Sequence, residues 1–221
     1  MPIEALYMKK TLKFLADLKA NSNQAWFLDN IGDYEQIRSE IEDLTYVILT
    51  ELSISDTKLN PEIDVTRFVS TLVIVRPKKP VAYFDFFDVE ISPVSNDGNE
   101  PAYVLHIEPN EKSYISIKYE PDVFGLQVMR NYISKNAVTF DNLVQDCFSS
   151  GYVLEESSML PSLPKGYPIG TPGESFIRLR KYELRSPIDI LKKRDELTKD
   201  ILVTFNAALP FIQFLRNGLG L

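Results

Sequence analysis

Tyr103-Val104-Leu105-His106-Ile107-Glu108-Pro109, then Asn110-Glu111-Lys112, then Ser113-Tyr114-Ile115-Ser116-Ile117-Lys118-Tyr119-Glu120 is the stretch on which the fold turns. Two runs rich in β-branched and aromatic residues flank a short polar turn, which predicts a β-hairpin across Asn110-Glu111. Side chains alternate along a strand. Leu105 and Ile107 therefore share one face, and His106 and Glu108 the other. On the second strand Ile115 and Ile117 oppose Ser116 and Lys118.

Upstream, Val65 to Arg76 is rich in Val, Thr and Phe and reads as a strand, turned by Pro77-Lys78-Lys79-Pro80. Val81 to Pro93 reads as a second strand, with Phe87, Val89 and Ile91 alternating against Asp88 and Glu90; Ser95 to Asn99 is a turn signal. Consecutive strands with short connections imply an antiparallel sheet. Before them, Leu12, Leu15 and Leu18 mark an amphipathic helix over Thr11 to Ala20. Asn21-Ser22-Asn23 offers caps for a second helix opening with Trp26-Phe27. After a pause near Gly32, Ile37, Ile41, Leu44 and Ile48 predict a helix from Asp33 to Leu52.

Downstream, helices are expected at Asp122 to Ser134 and Thr139 to Phe148, then a short strand from Tyr152 to Glu155. A proline-rich loop covers Met159 to Pro172, and Ser175 to Leu184 reads as extended. Ser186-Pro187 is expected to start a final helical region running to about Asn217, with a break near Pro210. The fold class that follows is α+β: an antiparallel sheet of about five strands with the N- and C-terminal helices packed on one face. Residues 1–221 show no linker or internal repeat, so one domain is expected.

Composition narrows the function. Apolar residues make up 44% of the 221 and charged residues 25%, which sets the chain apart from disordered and fibrous classes. A net charge of −7 opposes loose association with nucleic acid or anionic membranes. One cysteine (Cys147, at an apolar helical position) and one histidine preclude an intramolecular disulfide and a Cys/His structural zinc site. No apolar run reaches the ~20 residues of a membrane helix. Lys9-Lys10 follows the first apolar residues, the wrong order for an export signal, so a cytoplasmic location is expected. No phosphate loop, nucleophile elbow or zinc-helix motif occurs, and no cofactor or metal is implied.

The candidate chemistry is thin. His106 and Glu108, sharing a face with Ser116 and Lys118, are the candidate acid–base pair of an enzyme acting on a small anionic substrate. Lys165, Tyr167, Arg178, Arg180 and Lys181 form the densest basic and aromatic segment. If Arg178 and Arg180 share a strand face, their guanidiniums suit a carboxylate or phosphate. Trp26, Asn30 and Tyr34, spaced by four, share a helix face. The leading expectation is a non-catalytic binding or accessory module with a small anion-binding pocket, or one engaging a protein partner.

Phe14-Leu15, Leu18-Lys19, Asn21, Asn23, Trp26-Phe27, Asn30 and Tyr34-Glu35 resemble, in that order, the start of a conserved hypothetical family, domain of unknown function 2461. Tyr103-x-Leu105-His106-Ile107-Glu108-Pro109, Pro164-Lys165-Gly166-Tyr167-Pro168 and Pro210-Phe211-x-x-Phe214-Leu215 resemble further blocks of it. The resemblance spans nearly the whole chain and implies a shared fold. Family members usually carry a stretch with several Arg, Asp and Lys residues in the second block, followed by Pro-Tyr-Lys. Here Arg67 to Phe84 keeps Tyr83, Lys78 and Arg76 as counterparts, while other charges are Val, Leu and Phe. If that stretch is the family's active centre, the resemblance implies a diverged or inactive member. Tyr83 joins the candidate ligand-binding residues on this ground, and Trp26 on the helix face it shares with Asn30 and Tyr34.

Overall fold

The computed structural model describes residues 6–74, 82–93 and 100–221. The turns expected at Pro77–Pro80 and Ser95–Asn99, with Arg76 and Lys78, lie outside the described residues.

Helix α1 (Lys9–Ala20) buries Phe14, Leu15 and Leu18. Helix α2 (Gln24–Asp29) is capped by Asn23, whose side chain accepts the Trp26 N–H at 3.0 Å, satisfying one of the N–H groups a helix start leaves free. The long helix α3 (Ile31–Ser55) buries the predicted seam Ile37, Ile41, Leu44 and Ile48. The break between α2 and α3 falls at Asn30 rather than Gly32, because the Asn30 side chain turns back to the Trp26 carbonyl at 2.8 Å.

The stretch from Val65 does not form the expected long strand. It opens with a 3₁₀ turn (Val65–Arg67), with the Asp64 side chain accepting the Thr66 N–H at 3.0 Å. Arg38 of α3 donates to the carbonyls of Thr66, Val69 and Ser70 at 3.2, 3.4 and 3.3 Å. Acceptors a strand partner would use are thus held by a side chain. Val69 makes an isolated antiparallel bridge to Val89, and β1 (Val73–Ile74) pairs with β2 (Ala82–Tyr83) in a separate two-stranded sheet.

The main sheet consists of β3 (Phe87–Ile91), β4 (Ala102–Ile107), β5 (Tyr114–Tyr119), β6 (Val153–Leu154) and β7 (Tyr182–Pro187). Their order is β3-β4-β5-β7-β6, antiparallel throughout. The β4–β5 hairpin turns at Asn110 and Glu111, both left-handed with φ of 64° and 59°. Between β5 and β6 lie α4 (Val123–Lys135) and α5 (Ala137–Ser149), which bury Met129, Ile133, Phe140, Val144 and Cys147. Burial pushes the Cys147 thiol up to about 11, with the Asp146 charge adding to it.

Ser175 to Leu184 is also not one strand. Gly173, with φ of 75°, starts the short helix α6 (Glu174–Ile177), and β7 begins only at Tyr182. Phe176 and Ile177 are both buried although adjacent, which alternation in a half-buried strand forbids. Ser186 and Pro187 therefore end a strand instead of starting a helix. The C-terminal helices are α7 (Arg194–Ala207) and α8 (Leu209–Leu219), divided just ahead of Pro210 as the proline predicted.

The sheet presents Phe87, Val89, Ile91, Tyr103, Leu105, Ile107, Ile115, Ile117, Tyr119, Tyr182 and Leu184 to the core, each 2% exposed or less. The helices cover that face. Ring centroids of Tyr34 in α3 and Phe87 are 6.3 Å apart, those of Phe205 in α7 and Tyr103 5.1 Å, and those of Phe140 in α5 and Tyr182 6.2 Å. Each such aromatic contributes roughly 1.5–3 kcal/mol by leaving water. The fold is α+β as predicted, and five strands make the main sheet. Among the described residues no helix is long and apolar enough to cross a membrane.

Candidate functional site

The opposite sheet face is polar. Asp88 pairs across the strands with His106, and His106 with Tyr114; Ser116 lies opposite Val104 and Arg185, and Lys118 opposite Ala102 and Glu183. The period-two alternation that buries the apolar set on the helical side puts all of these on this side.

His106 is 7% exposed and both its ring nitrogens meet carboxylates: Nδ1 lies 2.6 Å from Asp88 Oδ1, and Nε2 3.2 Å from Glu108 Oε2. Its ring sits between Phe86 and Tyr114, with centroids 4.9 and 4.5 Å away. The Arg185 guanidinium lies 4.5 Å from the Tyr114 ring centre. Burial by itself lowers the imidazole pKa, but the bond and charge of Asp88, followed by those of Glu108, outweigh it and raise the pKa above its ordinary value.

The rest of the face is a charge network. Lys118 bonds Glu90. Glu183, 1% exposed, accepts from Arg185 Nε at 2.8 Å and from Lys181 at 2.9 Å. Burial works to raise the Glu183 pKa, yet the Arg185 and Lys181 bonds prevail and lower it. Arg185 also reaches Glu155 at 3.1 Å.

Glu108 lies one residue beyond β4 and faces two ways. Its Oε1 takes Lys112 at 3.0 Å, while its backbone is pinned by Ser113 Oγ, which accepts from its N–H at 3.1 Å and donates to its carbonyl at 3.0 Å. On its outer side Glu108 lines a cleft of about 530 Å³, together with Leu12, Glu111, Ser113 and Pro187 to Leu191. That volume lies in the range of small-molecule sites. Three lining residues are carboxylates (Glu108, Glu111 and Asp189), none is a cation, and Leu12, Ile188, Ile190 and Leu191 supply an apolar wall.

The sequence candidates are dispersed. His106 and Glu108 do meet, but the lysine that joins them is Lys112, because Lys118 is held by Glu90. Asp88, the third member, is legible in sequence only as sharing a face with Glu90 against Phe87, Val89 and Ile91; its pairing with His106 needs the β3–β4 register. Arg178 and Arg180 do not share a strand face, since they lie in the connection between α6 and β7. Arg178 Nε donates to the Leu160 carbonyl at 2.7 Å, and Arg180 and Lys165 are exposed. Tyr167 bonds Asn131 and Gln127 of α4 at 2.6 and 2.8 Å. Trp26 and Tyr83 lie in one aromatic cluster: Phe14 stands 5.5 Å from Trp26, and Phe27 4.6 Å from Tyr83. Among the described residues no group of three or more His, Cys, Asp or Glu is placed to hold a metal ion.

A family model described as a conserved hypothetical protein, DUF2461, matches residues 10–214. No curated protein and no solved structure matches the chain.

Proposed function

The chain belongs to the DUF2461 family of conserved hypothetical proteins, and from that premise we propose that it is a non-catalytic binding module whose ligand seats in the cleft beside Glu108. The observation that carries this reading is the occupancy of His106. Both nitrogens of the only histidine face carboxylates and the ring is 7% exposed, so its hydrogen-bonding positions are taken up within the protein and not turned to the cleft. Ser113, the hydroxyl lining the same cleft, is engaged with the Glu108 backbone in both directions. An acid–base enzyme built on His106 or Ser113 would need one of them available.

The ligand class follows from the lining. Three carboxylates against an apolar wall favour a small organic cation, a basic group on an alkyl or aryl body. The anionic ligand expected from Arg178 and Arg180 depended on a shared strand face that α6 removes. A cytoplasmic setting belongs to the same proposal, since a lone cysteine closes no intramolecular disulfide.

Thermal shift tests it directly. A linear alkylammonium at ~100 times its dissociation constant adds roughly 2.7 kcal/mol, about 5–10 °C for a chain of this size. The shift is expected to vanish in Glu108→Gln. A shift with phosphate or carboxylates and none with any amine would overturn the ligand class.

A further inference from the structure

Two carboxylates on one imidazole constrain its proton. Ionised carboxylates only accept, so the contacts of Nδ1 with Asp88 and Nε2 with Glu108 are both hydrogen bonds only while both ring nitrogens carry protons. A neutral ring keeps one N–H and turns a lone pair toward the other anion. The Asp88 contact is shorter by 0.6 Å, from 3.2 − 2.6, so the retained N–H faces Asp88 and the lost one faces Glu108.

We infer that the Nε2 proton of His106 gates the candidate cleft: with it Glu108 is tied to the sheet, and without it Glu108 Oε2 is released to a cation in the cleft. The inference rests on the cleft reading proposed above. Ser113 anchors the Glu108 backbone, so only the carboxylate responds. The charged and titratable groups around the switch come from every neighbouring element. Asp88 and Glu90 stand on β3, Tyr114 and Lys118 on β5, and Glu183 and Arg185 on β7. Lys112 holds the other Glu108 oxygen from the hairpin. Lys19 of α1, paired with Asp85 at 2.6 Å, adds a further positive charge toward Glu108. Lys112 keeps its bond in both states, so deprotonation frees one carboxylate oxygen, not two. The upward pKa shift of His106 brings the switch closer to neutral pH or above.

The protein has one histidine, so the two ring C–H resonances of a single imidazole report it in a proton NMR titration. Hexylammonium chloride, charged throughout the range, is the probe. Its affinity is expected to rise about fivefold as pH climbs through the His106 transition, and by reciprocity saturating probe lowers the His106 pKa by the matching amount. His106→Gln is expected to bind the probe without that pH dependence. If the Gln variant fails to fold, the wild-type titration with and without hexylammonium decides alone. Binding of equal strength across the transition, with the His106 pKa unmoved, overturns the gate and leaves the cleft standing. No binding at any pH overturns the cleft reading and the gate with it.

Discussion

Strand β4 carries a charged cluster on each face, and the two are built differently. On the helical side Tyr103 donates to Asp56 Oδ2 at 2.9 Å, and Arg216 of α8 reaches the same oxygen at 2.5 Å. That cluster is sealed, with Arg216 and Asp56 at 2% and 1% exposure, and it joins the end of α3, the sheet and the last helix. Arg216 Nε and Nη2 find no hydrogen-bond partner among the described residues. On the outer side Asp88, His106 and Glu108 bridge β3, β4 and the hairpin, with Asp88 and Glu108 still 28% and 19% exposed. A guanidinium holds its proton across the working pH range and an imidazole does not. The same device, a cation shared between elements, is permanent under the helices and responsive beside the cleft.

Breaking the sealed cluster should have the largest effect. Arg216→Ala leaves Asp56 buried and unpaired and is expected to cost about 3–5 kcal/mol, read as the urea midpoint. The double variant Asp56→Leu/Arg216→Met should recover most of that loss, because it leaves no buried charge behind; equal loss in single and double variants would show that packing, not charge, is at stake.

The outer cluster is expected to cost less and to depend on pH. His106→Ala should lose about 2 kcal/mol at pH 6, the scale of a charge-assisted bond. The folded-state pKa of His106 lies above the ordinary 6.5. Its contribution is therefore fully present below the unfolded pKa and is lost as pH rises through the folded one. The wild type should weaken toward Ala-variant stability as pH rises from below 6.5 through the raised folded-state pKa, a curve that a guanidinium contribution does not follow. Parallel losses at both sites would erase the contrast.

Smaller effects sharpen it. Glu111 holds a left-handed conformation with φ of 59° at the cleft rim, so Glu111→Gly should gain about 1 kcal/mol while weakening alkylammonium binding. Gained stability with unchanged binding would remove Glu111 from the site. Lys118→Ala, which opens the partly exposed pair with Glu90, should cost about 1 kcal/mol.

Much of the fold was legible because periodicity is a local property. The Ile37–Ile41–Leu44–Ile48 seam, the alternation through β3, β4 and β5, and the Asn110-Glu111 turn each follow from neighbours in the chain. The misreadings share a cause. Val65 to Ser70 has strand composition, but Arg38, about thirty residues earlier, takes its carbonyls. Arg178 and Arg180 alternate as a strand would, yet they lie between α6 and β7, because Phe176 and Ile177 just before them both find the core as a helical turn.

The site divides along the same line. Sequence alone determined that His106 and Glu108 point to the polar face and that one histidine and one cysteine build neither an intramolecular disulfide nor a Cys/His structural zinc site, since alternation and counting need no partner. Tertiary structure decided that Asp88 takes the other ring nitrogen, that Lys112 rather than Lys118 completes the group, and that Leu12 and Ile188 to Leu191 wall a cleft beside it. Register and helix placement set those contacts. Both arise from burying the whole apolar face at once, a condition that no single segment carries.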